Sequence, residues 1–482
     1  MCGVVGIKFF EGKQDAVELG VKLLLRLQHR GQDGAGIAAF SRNTNELESL
    51  RGLGLIDIAL KDWTRMDQSE AMIAHTRYAT TGTGGIAELQ PFLEGAPRIA
   101  MAHNGNIVNT DELRSTFDIP LVVDSDLEVL QQIFLKLRQE HSFEETLSKI
   151  MDSFIGSYAV VALEENGEFF AFRDPHGIRP LFMASCSKFV AVASETCALL
   201  PLQALAPAGE FKIEEIEAGT WVRTVFGSIQ RGKVPVDKVM RKSFCMFELI
   251  YFSSPQSEYA DRSVYRQRFS LGQRLAWEIS EGINGEGRRH FDYVVPVPET
   301  SRTAAIAVAE ILGVPYREYL VKNPYVSRTF ILGRQDARLK ALEAKLSLIG
   351  PEIHGQKILL VDDSVVRGNT SRLMSLRLRE AGAKSVSLAS TCPPIRHGCF
   401  YGIDFPDPKE LVASGQRSIP EIQEQLGVDA LYYLSLAGLK KALGRDDLCT
   451  ACLDGDYPSR NRSFDEFLEK RRSERSPAPV LV

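Results

Sequence analysis

The 482-residue sequence has no excess of one charge: 57 Lys and Arg stand against 62 Asp and Glu, a formal net charge of −5. Nothing global therefore draws it to nucleic acid or to an anionic membrane surface. No apolar run approaches the roughly 18 residues that a membrane span needs. There is no internal repeat and no low-complexity segment. The start, MCGVVGIKFF, has no basic leader and no long apolar stretch, which predicts no secretory signal and a cytoplasmic protein. Cysteine is sparse, at 8 residues, too few for a disulfide scaffold. In such a chain a few clustered cysteines point to metal binding or catalysis. What is present is ordinary for a soluble globular protein, with 44% hydrophobic and 25% charged residues. That balance excludes fibrous, disordered and collagen-like classes. The length predicts two or three domains.

Residues 1 to about 235 alternate short strands and helices with many turn signals. Met1–Phe10, Ala100–Val108, Tyr158–Leu163 and Phe169–Phe172 read as strands, and Asp15–Arg26 has helical spacing. Sheets packed by helices predict an α+β sandwich. A basic, Pro-containing stretch at Lys233–Lys242 reads as a linker. Beyond it strands alternate with helices: Asp292–Val297, Thr303–Leu312, Lys357–Val361, Ser371–Ala381 and Lys384–Ala389. That alternation predicts an α/β domain with a parallel, doubly wound sheet. The expected division is 2–235, 236–460 and a charged tail at 461–482. In the tail, Ser463 and Glu466 have capping-box spacing ahead of a helix ending near Ser476-Pro477, expected to be a solvated surface helix.

Cys2 follows Met1 directly. Removal of Met1 would leave Cys2 as the N-terminus. A terminal Cys carries its own base, since an α-amino group has a pKa of roughly 7.7–8.0. Leu27-Gln28-His29-Arg30-Gly31-Gln32-Asp33 is a polar, Gly-interrupted turn. Arg77, in His75-Thr76-Arg77-Tyr78-Ala79-Thr80-Thr81-Gly82, could take a carboxylate bidentately. Ala102-His103-Asn104-Gly105-Asn106 reads as a tight turn that sets an amide beside a flexible backbone, as an oxyanion hole requires. Asp126, in Ser125-Asp126-Leu127-Glu128, offers a carboxylate to an ammonium. An amide substrate with an α-ammonium and an α-carboxylate is glutamine or asparagine.

These segments, in this order, resemble the N-terminal-nucleophile glutamine amidotransferases. The resemblance implies that Cys2 is the nucleophile, that Asn104 and Gly105 form the oxyanion hole, and that Arg77 and Asp126 bind glutamine. It places Arg30 in a supporting turn near Cys2.

A second constellation is Ile358-Leu359-Leu360-Val361-Asp362-Asp363-Ser364-Val365-Val366-Arg367-Gly368-Asn369-Thr370-Ser371. A buried strand ends in two carboxylates, and a hydroxyl- and Gly-containing turn enters a helix. Backbone N–H groups at such a turn can cradle a phosphate. Asp362 and Asp363 can hold sugar hydroxyls and a hydrated Mg²⁺. An acidic turn that merely caps a helix is the plainer alternative. The loop resembles the phosphoribosylpyrophosphate (PRPP) motif of type I phosphoribosyltransferases. That resemblance implies PRPP binding by Asp362, Asp363, Ser364, Arg367, Gly368 and Thr370. It also implies Mg²⁺ binding by Thr300, Asp362 and Asp363. Lys322-Asn323-Pro324-Tyr325-Val326-Ser327-Arg328-Thr329-Phe330 is similar to the family's active-site loop, with Lys322 and Arg328 facing pyrophosphate.

A glutaminase followed by this domain resembles the amidophosphoribosyltransferase family over about residues 2–455. The family's reaction passes ammonia from glutamine to C1 of PRPP, giving 5-phosphoribosylamine, the first step of de novo purine synthesis. Purine nucleotide inhibition and a homo-oligomer are implied with it. Cys245, Cys399 and the pair Cys449-Thr450-Ala451-Cys452 resemble the ligands of its iron–sulfur branch, implying a structural 4Fe–4S cluster. Four thiolates equally suit a structural Zn²⁺. Cys186, Cys197 and Cys392 fall outside this set. The chain departs from the family pattern at Ser254, Gln256, Ser327, Asn369 and Glu343, most of them in or near the PRPP or nucleotide-control regions. A diverged paralogue that binds PRPP or nucleotide and regulates a partner without turnover is the alternative reading.

Overall fold

The computed structural model describes the chain except for residues 12–13, 67, 79–84, 121, 236–240, 283–289, 324–345, 406, 460–462 and 476–482. Ala79–Gly82, Ser327, Arg328, Glu343 and most of the expected active-site loop therefore lie outside the described residues.

The first half is a pair of packed antiparallel sheets. One runs, in spatial order, Lys212–Glu215, Phe182–Ser185, Phe189–Ala193, Gly3–Phe9, Ser69–Arg77, Gly34–Ser41 and Leu47–Leu53. The other runs Ser228–Lys233, Thr220–Val225, Phe169–Arg173, Gly156–Glu164, Ile99–Ile107 and Phe92–Glu94. Between them lie Val4, Ala38, Ala71 and Ile73 from the first sheet and Ala100, Ala102, Ala159, Val161 and Ala171 from the second. The many alanines let the two inner faces approach closely. The outer faces are covered by helices, which explains why Gly3–Phe9 is buried along its whole length and does not alternate. Helix Ala16–Leu25 turns Ala16, Val17, Gly20, Val21, Leu23 and Leu24 inward, at helical spacing. Asp15 Oδ1 caps it by accepting from Val17 N. Helix Phe143–Ser153 starts with a Ser142/Glu145 capping box and covers the second sheet with Asp126–Arg138.

The second half holds a four-stranded parallel sheet in the order Tyr293–Pro296, Lys357–Asp362, Ser385–Ser390, Ala430–Tyr433. Helices Arg302–Leu312, Asn369–Glu380 and Ile419–Leu426 alternate with its strands. Helix Val264–Gly282 packs on Arg302–Leu312 at Gly272, where an added Cβ would stand 2.2 Å from Ala304 O.

The halves are joined by buried polar contacts. Asn106 Nδ2 donates to Phe400 O at 2.8 Å, and Ser157 Oγ donates to Tyr401 O at 2.9 Å. Arg179 also donates to Tyr401 O. The C-terminal helix, Ser463–Arg475, corrects the expectation of a purely solvated tail. Phe464 is buried and stacks on Phe400 with ring centroids 4.4 Å apart. Lys470 pairs with Asp124 of the first half and Arg472 with Asp407 of the second. Ser463 opens the helix and donates to Glu112, so its hydroxyl serves tertiary contact as well as the helix start.

Candidate functional site

Cys2 stands at the head of the central Gly3–Phe9 strand. Its backbone N donates to Asn104 Oδ1 at 3.1 Å, and its carbonyl accepts from Arg30 Nε at 2.9 Å. Gly3 makes room for its neighbours, since an added Cβ would lie 3.0 Å from Thr76 Cγ2 and 3.1 Å from Leu27 Cβ. Asn104 is buried, and among the described residues its Nδ2 has no hydrogen-bond partner. An unsatisfied donor in a buried site is costly unless a ligand takes it. The expectation of a tight turn here is corrected: Asn104 and Gly105 sit inside the continuous Ile99–Ile107 strand. Gly105 is needed for closeness, not for a turn, because a Cβ there would fall 1.9 Å from Ser157 O.

Asp126 opens helix Asp126–Arg138. Its Oδ2 accepts from Ile107 N at 3.0 Å and its Oδ1 from Leu127 N at 2.9 Å, while His103 Nε2 lies 3.1 Å from Oδ2. Burial alone would raise its pKa; the neighbouring His103 and the backbone donors outweigh it and hold the carboxyl below its ordinary value. His103 is desolvated too, yet Asp126 raises it. Arg77 ends the Ser69–Arg77 strand, and its partner is Glu88: Nη1 donates to Glu88 O at 2.6 Å and Nη2 to Glu88 Oε2 at 2.5 Å. The guanidinium thus holds a carboxylate, but one supplied by the chain itself.

Arg30 is fully buried between two carboxylates, Glu195 and Glu248. Glu248 begins the Glu248–Phe252 π-helical turn of the second half, whose carbonyls at Leu249 and Tyr251, with Ser253 O, accept from Arg268. None of Glu195, Glu248, Arg268 and Glu88 stood out in the sequence. Each is an isolated charge in an otherwise ordinary segment, and only burial marks it.

The second site lies at the C-terminal ends of the parallel strands, where helix starts and turns open outward. Asp362 ends its strand and Asp363 follows, both buried. Desolvation pushes Asp363 up to about 6. Asp362 is raised further, by burial and then by the charge of Asp363. Two adjacent buried carboxyls are thus held toward their protonated forms in the absence of a cation. Ser364 Oγ donates to Asp363 Oδ1 at 2.8 Å. Gly368, at φ +75°, precedes helix Asn369–Glu380, with Thr370 in its first turn. A Cβ at Gly368 would also meet Leu426 Cδ2 at 2.7 Å. Arg367 is bonded to Glu410 and to Asp404 O. Thr300 lies in the turn after the neighbouring Tyr293–Pro296 strand, and Lys322 closes the short Leu320–Lys322 strand.

Cys245, Cys399, Cys449 and Cys452 line one cavity with Ile178, Met246, Phe247, Tyr401, Ile403, Ala451 and Tyr457. Cys245 and Cys449 are direct partners in a two-stranded parallel pairing. Burial raises all four thiols, Cys245 to about 11. Among the described residues no group of three or more His, Cys, Asp or Glu is gathered closely enough for a metal ion. A single Zn²⁺ would need the sulfurs within ~4 Å of one another, given bonds of about 2.3 Å. A four-iron cluster would spread its four thiolate ligands more widely than a single ion does.

Fold and sites together define a two-domain glutamine amidotransferase and phosphoribosyltransferase. Residues 75–201 match the glutamine amidotransferase domain family and residues 265–401 the phosphoribosyl transferase domain family. The amidophosphoribosyltransferase of Methanothermobacter thermautotrophicus is 37% identical, over 95% of this chain and 94% of its own. That of Bacillus subtilis is 36% identical, over 95% and 94%. The solved glutamine PRPP amidotransferase of B. subtilis, complexed with ADP and GMP, superposes with a TM-score of 0.82 at 35% identity, covering 95% of this chain and 98% of that one. The chain belongs to the amidophosphoribosyltransferase family.

Proposed function

We propose that this chain carries out the family's reaction in full. Glutamine is hydrolysed at Cys2, and the ammonia displaces pyrophosphate from C1 of PRPP to give 5-phosphoribosylamine, the first step of de novo purine biosynthesis. The observation that carries the first half is the orphaned Asn104 Nδ2 beside Cys2.

The Cys2 thiolate attacks the side-chain amide carbon of glutamine. The developing oxyanion takes the Nδ2–H of Asn104, assisted by the backbone at Gly105. Asn104 also acts through its other amide atom, since Oδ1 already accepts from the Cys2 nitrogen. Once Met1 is removed, the same contact orients a free α-amino group, which relays the thiol proton to the leaving ammonia. Water then releases glutamate from the thioester. Arg77 and Asp126 take the α-carboxylate and α-ammonium. Glutamine therefore exchanges its carboxylate against Glu88 at Arg77.

In the second domain Asp362 and Asp363 engage the ribose hydroxyls and, with Thr300, would hold Mg²⁺. Gly368, Thr370 and Ser364 line the 5′-phosphate loop, with Arg367 anchoring it through Glu410. Lys322 and Arg328 would supply positive charge to the leaving pyrophosphate, as the family resemblance implies. Mg²⁺ supplies charge neutralisation on the leaving pyrophosphate. Cys245, Cys399, Cys449 and Cys452 would hold a 4Fe–4S cluster, whose role is to fasten separate segments. Purine nucleotides are proposed as inhibitors, in keeping with the ADP and GMP bound by the B. subtilis enzyme. A cytoplasmic homo-oligomer is the proposed state; no described helix is long and apolar enough to cross a membrane.

The test is a PRPP-dependent glutaminase assay with product identification. Glutamate and 5-phosphoribosylamine should form in equal amounts. Glutamate release without any PRPP-derived amine would overturn the reading.

A further inference from the structure

Glu195 follows the Phe189–Ala193 strand, beside the start of the strand that carries Cys2. Ser194 N donates to Val4 O and Val4 N to Ser194 Oγ, each at 3.0 Å, so this corner is locked to the nucleophile's strand. The Glu195 carboxylate is fully buried and serves two separate pieces of chain. Oε1 lies 2.8 Å from His29 Nε2 and accepts from Arg30 Nη1 at 2.5 Å. Oε2 accepts from Ser254 N at 2.8 Å and from Ser257 Oγ at 2.6 Å. Its charge is stable there: desolvation is outweighed by His29, Arg30 and the Ser257 hydroxyl, which hold the carboxyl far below its ordinary range. Such a node is retained at a cost, because a buried charge is tolerated only when fully partnered.

The first of those pieces leads to the chemistry. Arg30 donates through Nε to the carbonyl of Cys2. Its remaining edges face Glu195 on one side and Glu248 on the other, the latter at 3.0 Å and 2.9 Å. This bond at the Cys2 carbonyl, with the one from its nitrogen to Asn104, holds the backbone from which the thiol projects. With Glu195 neutralised, Arg30 keeps Glu248 alone and its hold on Cys2 O slackens. The second piece belongs to the phosphoribosyl half.

We propose that Glu195 is a positioning residue for glutamine hydrolysis, and that the Ser254–Ser257 turn of the second domain completes the nucleophile's support through it. The proposal rests on the reading of Cys2 as nucleophile. Glu195 has no part in contacting glutamine. Its loss should therefore lower turnover and leave substrate affinity alone.

The experiment uses the full-length, Met1-processed protein, with Glu195→Gln, Ser257→Ala and Cys2→Ala. Glutaminase kcat and KM, ammonia-dependent synthesis and Tm are measured on each. Glu195→Gln should reduce glutaminase kcat at least tenfold and Ser257→Ala at least threefold. KM for glutamine should stay within twofold, and ammonia-dependent synthesis should be retained. Ser257→Ala removes one hydroxyl and keeps the charge balance, so it decides the matter if Glu195→Gln does not fold. Lower Tm with unchanged glutaminase kcat in Ser257→Ala would make the node purely structural and overturn the proposal. A parallel rise in KM would do the same, by making Glu195 part of substrate binding. Glutamine hydrolysis surviving in Cys2→Ala would instead remove the reading of Cys2.

Discussion

Asn106 Nδ2 donates to the carbonyl of Phe400 at 2.8 Å, joining residues 294 positions apart. Asn106 shares a strand with Asn104 and Gly105, and Phe400 follows Cys399. The oxyanion strand is therefore braced by the segment that carries one of the four cavity cysteines.

If that cavity holds a cluster, anaerobically purified protein should contain four irons and four acid-labile sulfides per chain, as the 4Fe–4S composition requires. Cys399→Ser should lose the metal, lower Tm and depress glutamine-dependent activity more than ammonia-dependent activity. Stoichiometric zinc without sulfide would replace the cluster by a different ion on the same ligands.

Cys2→Ser should abolish glutamine-dependent synthesis and leave ammonia-dependent synthesis largely intact, because the two chemistries use different domains. Intact mass should show Met1 absent from active protein. Loss of both activities in a folded variant would contradict the division of labour.

Asn104→Ala should lower glutaminase kcat by roughly 10²–10³, the usual effect of deleting one oxyanion donor. The measurement is steady-state glutamate release at saturating glutamine. A change confined to KM would assign Asn104 to substrate binding instead.

Asp363→Asn and Asp362→Asn should each strongly reduce both glutamine- and ammonia-dependent synthesis. A pH dependence accompanies this. Burial raises Asp363 from 3.8 to about 6, so the fold favours its protonated form. The group contributes stability that is full below about pH 4 and is lost as pH rises through 6. Without divalent cations, the Tm of the natural protein should fall relative to Asp363→Asn across that window. Mg²⁺ with PRPP should restore it. Parallel Tm curves for the two proteins would mean that the carboxyl is not desolvated.

Phe464→Ala should destabilise the protein by about 3–5 kcal/mol, the range for removing a buried aromatic ring. Urea melts report it. A smaller effect, comparable to that of a surface substitution, would return the C-terminal helix to the solvated role first expected.

The strands and helices named from the sequence match the structure to within a residue or two, whereas Ser69–Arg77 and Asp126–Arg138, which carry Arg77 and Asp126, are not among them. Gly3–Phe9 and Lys357–Asp362 are largely apolar runs long enough to be read directly. The chemistry-bearing residues were legible where they fall in contiguous motifs, as around Cys2 and Asp362. What escaped was pairing between distant segments. Glu88 on Arg77, Glu410 on Arg367 and Glu195 on Arg30 are single acidic residues in segments without a pattern. The Asn104 segment was misjudged because Gly beside Asn normally signals a turn, whereas here Gly105 admits the neighbouring strand. The tail helix reads as solvated because its charges outnumber its apolar residues, whereas one buried ring, Phe464, and two ion pairs dock it.

The seam between Asn106 and Ser157 on one side and Phe400 and Tyr401 on the other imposes an order of events during synthesis. Asn106 leaves the ribosome 294 residues ahead of its partner, a lag of about 15–60 s at ordinary elongation rates. Throughout that interval the glutaminase half lacks the brace on its oxyanion strand. The oxyanion strand is thus a part of the glutaminase half that is completed late, once the segment around Phe400 has been translated.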